Sequence, residues 1–296
     1  MNRSWRPALL IEAFAAAPHQ GNGAAVVQLD CPAEAAWMQA VAGSLQQSET
    51  AFLWRQADGG WLLRWFTPSC EVELCGHATL ATALALEHWQ LLKPGEPVDL
   101  ATRSGALQVR LDPDREGVAS LQLPAADLQP LSAPAYLQPL LGQAPLAYWG
   151  SALGYRVALI DHNVDLAALP SPSSHLQGPD RMGLVVMQAC NDRDAPPVVL
   201  NVQCTYQLRF FAPGLGLEED PVTGSAHALV APWWMQQRGC TSVAGWQPSS
   251  RRGGMLCDQT PSGQVRLSGT GHLLWDGQIN ATGCGHDPVG WLVCRR

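Results

Sequence analysis

Lysine is almost missing: of 18 basic residues 17 are arginine, and the single lysine, Lys93, sits in the turn-like Leu-Leu-Lys-Pro-Gly stretch at 91–95. That scarcity excludes a Walker-A phosphate loop, which needs Gly-Lys-Ser/Thr. Schiff-base or pyridoxal phosphate chemistry would have to rest on Lys93, beside Pro94 and outside any apolar stretch. Charge is scarce as well, at 15% of residues, and its balance is −7. Without a basic face, nucleic acid and anionic membrane surfaces are not expected partners. No apolar run approaches the roughly 20 residues that cross a bilayer. The nine cysteines are odd in number, irregular in spacing and contain no Cys-x-x-Cys pair. Reduced thiols in a cytoplasmic protein are therefore expected. The N-terminus lacks a small-residue cleavage signature, so no secretory leader is expected and Asn280-Ala281-Thr282 is not expected to accept a glycan. Eight histidines occur without His-Glu-x-x-His or a similar cluster, so no metal is expected and metal hydrolysis is the weakest reading.

What is present is a chain of 296 residues, 47% hydrophobic, long enough for one large domain or two ordinary ones. Its 28 glycines and 23 prolines punctuate short β-like runs, among them 8–14, 24–29, 61–66 and 106–111. Helical signals fall at about 32–42, with Pro32 in a first turn and Gly43 as a C-terminal cap, and again after residues 76 and 224. The Pro-rich 124–146 reads as a connection and 170–179 as a surface loop, with a boundary near 123.

An internal repeat is the most informative feature. Arg64-Trp65-Phe66-Thr67-Pro68 returns as Arg209-Phe210-Phe211-Ala212-Pro213. An acidic turn follows each, then a glycine opening an apolar small-residue run, Cys75-Gly76-His77-Ala78-Thr79 in one copy and Thr223-Gly224-Ser225-Ala226-His227 in the other. Both runs end in tryptophan, at Trp89 and at Trp233-Trp234. Each half thus predicts strand, turn, glycine, helix, and the all-round apolar helices predict burial on every side.

A helix start offers unpaired N–H groups and the positive end of the dipole, so Gly76 and Gly224 suit a carboxylate. Polar residues stand beside them: His77, Asp220 and Ser225, with Glu49 opening a β-like run. Each has a plain alternative. Asp220, Thr223 or Ser225 can serve as a helix cap, His77 as a hydrogen-bonded core residue, and Glu49 as a solvated turn residue. Composition alone does not decide whether they converge.

At these residues the sequence resembles the PhzF family, phenazine biosynthesis-like proteins of the diaminopimelate epimerase-like fold. The resemblance is carried by Phe14 with Gly21-Asn22, by Ser48-Glu49-Thr50-Ala51-Phe52, by Phe66-Thr67-Pro68 with Glu71 and Cys75-Gly76-His77-Ala78-Thr79, and by Asp220-Pro221-Val222-Thr223-Gly224-Ser225-Ala226. Gly269 and Gly277 fit too, and the match runs in order from about 8 to 282. It implies an α/β (α+β) fold of two similar halves, each a curved, mostly antiparallel sheet around a central helix. The halves would be 1–122 plus 283–296, with a last strand at about 289–294 returning to the first half, and 123–282, with the active site in the cleft between them. It further implies a cytoplasmic homodimer that needs no cofactor and no metal. Carried over by motif, Glu49 is the general acid/base, and His77 and Asp220 orient substrate and assist proton movement. Ser225 with the amides at Gly76 and Gly224 would hold the carboxylate of a small-molecule substrate, and Asn22 would stand on the substrate side. The apolar Ala51-Phe52-Leu53-Trp54 beside Glu49 suits proton abstraction from carbon.

Three departures stand out. Gly23 replaces the family's proline, Pro232 lies inside the second predicted helix, where it should kink or end it, and Cys284-Gly285-His286 copies a motif with no helical run behind it. His227, a turn into that helix, reads as structural. The leading function is a cofactor-independent isomerase moving a proton between carbons of a small carboxylate-bearing, cyclic amino acid-like metabolite. The alternatives are a non-catalytic small-molecule binding or interaction protein with the same cleft, and an epimerase or racemase. A two-thiol racemase is disfavoured because Thr223 stands where a second Cys75 would be needed.

Overall fold

A computed structural model describes residues 5–190 and 195–294. The first four and last two residues of the chain, which fall in the expected first half and under the leader expectation, lie outside the described residues. The chain divides into two compact units, Met1–Gln122 with Ser268–Arg296, and Leu123–Leu267. The return to the first unit therefore begins at Ser268 rather than at 283.

In the first unit β1 (Trp5–Ala13) pairs antiparallel with β2 (Asn22–Leu29). After helix α1 (Ala35–Leu45), β3 (Glu49–Arg55) lies parallel to β2 and antiparallel to β4 (Trp61–Phe66). The short β5 (Glu71–Val72) folds back on β4 and leads into α2 (Gly76–His88). β6 (Pro97–Thr102) runs parallel to β4, and β7 (Gly105–Leu111) and β8 (Val118–Pro124) follow as hairpins. Every residue of α2 from Gly76 to Leu86 is buried, and β1, β2, β3 and β7 surround it. On the other side of the sheet Ala8, Val27, Phe52 and Phe66 pack with Met38 and Ala42 of α1. Sheet residues covered on both faces explain why β2 and β3 read as nearly continuous apolar runs and not as alternating ones.

The second unit repeats this order. β9 (Leu128–Pro130), α3 (Leu137–Leu141) and β10 (Ala147–Ser151) precede β11 (Arg156–Leu159), which is antiparallel to β10 and parallel to β12 (Leu184–Ala189). β12 is antiparallel to β14 (Val202–Ala212), on which β13 (Val198–Val199) and β15 (Leu217–Asp220) also fold. Helix α4 (Gly224–Arg238) follows, then β16 (Ser242–Gln247) parallel to β14 and β17 (Gly253–Gln259) antiparallel to β16. β18 (Gln264–Asn280) ends the series, and from Gly271 onward it pairs with β1. The buried helix again sits among strands of its own unit, β14, β16 and β17.

The repeat extends to side chains. Arg64 grips Glu71 with two bonds of 2.7 and 2.9 Å and lies 5.4 Å over the Phe66 ring. Arg209 does the same to Glu219 at 2.7 Å for both bonds, 4.9 Å over Phe211. Two-point pairing of guanidinium and carboxylate fixes the β5 and β15 turns that launch the helices.

Several expectations need correction. Helix α1 runs on past Gly43 to Leu45, and its cap is Gln46 in the left-handed conformation, φ 53°. Pro232 does not end α4, which continues to Arg238 before Gly239 closes it. Buried Val230, Ala231, Trp234 and Met235 on either side of Pro232 hold the helix together across the missing N–H. The Pro-rich 124–146 is more than a connection, since it supplies β9 and α3. Residues 289–294 form turns instead of a strand. The tail does pack on the first unit: Trp291 is buried against Ala8 and Val27 and donates its ring N–H to the Ala33 carbonyl at 2.9 Å. Inserting one large ring end-on requires a turn, which Asp287 closes by accepting from the Gly290 N–H at 2.8 Å.

Candidate active site

In the first unit three chain starts converge. Gly21 turns with φ 71°, where a Cβ would lie 2.5 Å from the Ala13 carbonyl oxygen, so only glycine brings the chain from β1 to Asn22 at the head of β2. Gln46 turns the chain out of α1 toward Glu49 at the head of β3. The parallel register sets Ala24 beside Glu49, so both strands begin at one end of the sheet. Cys75, in extended conformation, precedes α2 and makes no side-chain cap.

The side chains of these starts meet. Glu49 Oε2 lies 3.0 Å from His77 Nε2. On the other ring nitrogen, the Asn22 amide is 3.2 Å from Nδ1 and the Cys75 sulfur 3.5 Å. Ser48 donates its hydroxyl to Asn22 Oδ1 at 2.9 Å. Asn22 is fully enclosed and His77 nearly so, while Glu49 keeps 9% of its surface exposed, enough for contact with a small ligand. Gly76 and His77 are the first residues of α2, and their N–H groups have no acceptor within the helix.

The charges follow from this packing. Burial pushes the Cys75 thiol up to about 11, and the Glu49 charge adds to the push against the opposing pull of His77. Cys75 is therefore a neutral thiol at pH 7. Burial alone would lower His77, but Cys75 and Glu49 together overcome it and hold the imidazole well above its ordinary value. While the thiol is neutral its share of that push is absent, and the raising that remains comes from the Glu49 carboxylate 3.0 Å from the ring. Asn22 suits both states of the ring. Its NH₂ donates to a bare Nδ1, and with the amide turned its oxygen accepts from Nδ1–H, while the Ser48 hydroxyl serves either orientation.

In the second unit Asp220 ends β15, and its Oδ2 accepts from Thr223 Oγ1 at 2.7 Å. The Thr223 N–H donates to Gln247 Oε1 at 2.9 Å, and the Gln247 amide donates back to the Asp220 carbonyl, closing a ring of bonds. The Thr223 side chain does not cap α4, which removes that plain alternative for it. Ser225, one residue after Gly224, lies with its hydroxyl 3.4 Å from that of Tyr155. His227 is fully buried with Nδ1 2.9 Å from the Tyr206 hydroxyl, and burial drives it down to about 3, a neutral packing residue.

Glu49, His77 and Asn22 are thus joined by direct contact, and Asp220, Gly224 and Ser225 share the start of α4. Sequence reasoning missed Gln247, Tyr155 and the closeness of Cys75 to the imidazole. Tyr155 had a signal: Gly154-Tyr155 stands ahead of β11 as Gly21-Asn22 opens β2, and each side chain reaches the residue after the helix-opening glycine. Gln247 had none. Gly23, the departure from proline, lies under the Gln47 side chain, where a Cβ would come within 2.9 Å of the amide oxygen. Cys284-Gly285-His286 lies in irregular chain with no helix behind it.

The sequence profile described as PhzC-PhzF, phenazine biosynthesis-like protein, matches residues 11–277. An uncharacterized isomerase of Pseudomonas aeruginosa is 38% identical over 272 residues, covering 91% of this chain and 97% of its own. The crystal structure of a PhzF-family phenazine biosynthesis protein from Enterococcus faecalis superposes with a TM-score of 0.79 at 28% identity, over 93% of this chain and 99% of that one. A hydroxyproline epimerase from Agrobacterium vitis, solved with bound trans-4-hydroxy-L-proline, shares the fold with a TM-score of 0.59 at 10% identity, over 98% and 95% of the two chains. With its doubled strand–helix frame of the diaminopimelate epimerase-like fold, the chain belongs to the phenazine biosynthesis-like PhzC-PhzF family of isomerases.

Proposed function

We propose that the protein is a cofactor-independent isomerase that moves a proton between two carbons of a small carboxylate-bearing metabolite, cyclic amino acid-like compounds included. The observation that carries this reading is the buried Glu49–His77 pair at 3.0 Å, held from behind by Asn22 and Ser48. In the proposed step the Glu49 carboxylate takes the proton as a C–H bond breaks. The freed electron pair forms a new C=C bond, the existing double bond shifts, and Glu49 returns the proton to the far carbon. The His77 cation beside Glu49 balances the charge that comes and goes. The N–H groups at Gly76 and Gly224 and the Ser225 hydroxyl are the proposed carboxylate holders, and Asp220 the second participant in proton movement. These assignments rest on family membership and on the helix-start geometry. A homodimer, supported by the resemblance alone, and a cytoplasmic location, supported by the odd and irregularly spaced cysteines, are part of the same proposal.

Deuterium tests it. In deuterated water the wild type should place deuterium on substrate carbon. Glu49→Gln should still bind ligand while turnover falls on the order of 10²–10⁴-fold, the usual worth of a general acid/base. An unchanged rate removes Glu49 from the reaction. Saturable binding with no proton exchange in the wild type across a broad ligand panel points to the binding-protein alternative.

A further inference from the structure

Cys75 is the one member of the Glu49–His77 cluster to which the isomerase reading gives no task. Its sulfur, a Glu49 oxygen and a ring nitrogen of His77 all lie within 4.8 Å of one another, and all three residues are buried. Sequence spacing hides the trio, since β3 supplies one ligand and the start of α2 the other two. We propose that Glu49, Cys75 and His77 form an inhibitory site for a thiophilic divalent cation of the Zn²⁺ class.

The ligand set is of the mixed sulfur, nitrogen and carboxylate kind that Zn²⁺ takes at three-ligand sites, with a fourth position left open. Bond lengths of about 2.0–2.3 Å in a tetrahedron put neighbouring ligand atoms about 3.3–3.6 Å apart. Here Nε2 stands 3.0 Å from Glu49 Oε2 and 3.9 Å from Cys75 Sγ. The sulfur now lies nearer Nδ1, at 3.5 Å, so closing the triangle on Nε2 takes a rotation of the Cys75 side chain that carries the sulfur about 2 Å toward Glu49, given those bond lengths. The far ring nitrogen is already supported. Asn22 lies 3.2 Å from Nδ1 with Ser48 behind it, the outer-shell arrangement that orients a ligating histidine.

Binding balances as M²⁺ displacing protons. The Cys75 thiol gives up its proton to bind as thiolate, and an imidazolium at His77 gives up a second to free Nε2. No oxidation is involved. The bound ion takes the lone pairs of Glu49 and His77 that proton transfer uses, so an occupied site is a silent one. The binding claim goes beyond the isomerase reading and stands without it; the loss of turnover rests on that reading.

Titration of the intact protein with Co²⁺ decides the matter. One ion per chain is expected, with a tetrahedral visible spectrum and a thiolate-to-cobalt charge-transfer band. Calorimetry in buffers of different ionisation enthalpy should record between one and two protons released per ion. Cys75→Ser and Cys75→Ala should both lose the band with the fold intact by circular dichroism, whereas Cys70→Ser, at an exposed thiol, should keep it. Survival of the band in both Cys75 variants, or loss of it only in Cys70→Ser, overturns the site. With an active substrate, Zn²⁺ should stop wild-type turnover and a chelator should restore it. A Co²⁺ band that vanishes with Cys75 beside a Glu49→Gln enzyme of unchanged rate would keep the metal site and reject the isomerase mechanism.

Discussion

The two units share a frame and differ in what they mount on it. Thr50 faces Phe66 across β3 and β4, and Leu184 faces the matching Phe211 across β12 and β14. By that register the position of Glu49 falls to Gly183 in the second unit. There a Cβ would lie 2.5 Å from the Tyr155 ring, so no acid fits while Tyr155 is present. The residue after the helix glycine changes in step, His77 in one unit and Ser225 in the other, and the residue before it changes from Cys75 to Thr223. The first unit thus carries the Glu49–His77 pair, and the second carries hydroxyls and an amide ring around the Asp220 carboxyl. A duplicated scaffold has kept its Arg–Glu anchors and changed the side chains at its helix starts.

The largest expected effect breaks that division directly. His77→Ala should lower the rate of solvent-deuterium incorporation on the order of 10²–10⁴-fold, because it removes the partner of a general acid/base. Ser225→Ala, at the equivalent place, should leave kcat within a few-fold and raise KM about tenfold, the worth of one hydrogen bond to a charged group. Equal losses of kcat in both variants would mean that the units share the chemistry evenly.

Next in size is a packing effect at the position that corresponds to Glu49. Gly183→Ala forces a methyl against Tyr155, whose ring is held 4.8 Å from Phe210. Overpacking of this kind costs about 1–3 kcal/mol, read as a lower urea midpoint. The loss should be smaller in a Tyr155→Ala background, since the two residues are in contact and their effects are coupled. Full additivity would show that the tyrosine is not what reserves the site for glycine.

Much of this contrast was legible in the sequence, and the gaps have physical causes. The repeat, the two buried helices and Glu49, His77, Asp220 and Ser225 come from short motifs whose turns force them into place. α4 runs on through Pro232 because it is buried on both sides of that residue, and a proline's local cost says nothing of such tertiary packing. The return at Ser268 is not legible because β18 runs unbroken from Gln264 to Asn280, and Ser268-Gly269-Thr270-Gly271, where its partners change, continue the strand instead of turning. The place of Trp291 is not legible because an apolar stretch reads alike whether it extends or plugs a core. The Gln247 ring joins side chains far apart in sequence, for which no local pattern exists, whereas Cys75 stands two residues from His77 and touches its ring only because the chain turns there from extended into helix.

The smallest effect contrasts the two buried histidines by sign. His77 is held well above its ordinary value, so the folded state binds its proton more tightly than the unfolded chain. Its contribution to stability is complete below the unfolded value of about 6.5 and is lost as pH rises through the folded value. His227 is driven down to about 3 by burial, with a hydrogen bond to Gln247 opposing, so the folded state excludes the proton. Its contribution is present above about 6.5 and is lost as pH falls toward 3, with a slope of up to about 1.4 kcal/mol per pH unit. Urea unfolding from about pH 5 to 9 should then separate two variants. The difference between wild type and His77→Gln should shrink toward alkaline pH, and that between wild type and His227→Gln toward acid. If both differences shrink in the same direction, the two histidines share one electrostatic environment and the ion pair with Glu49 does not hold His77 charged.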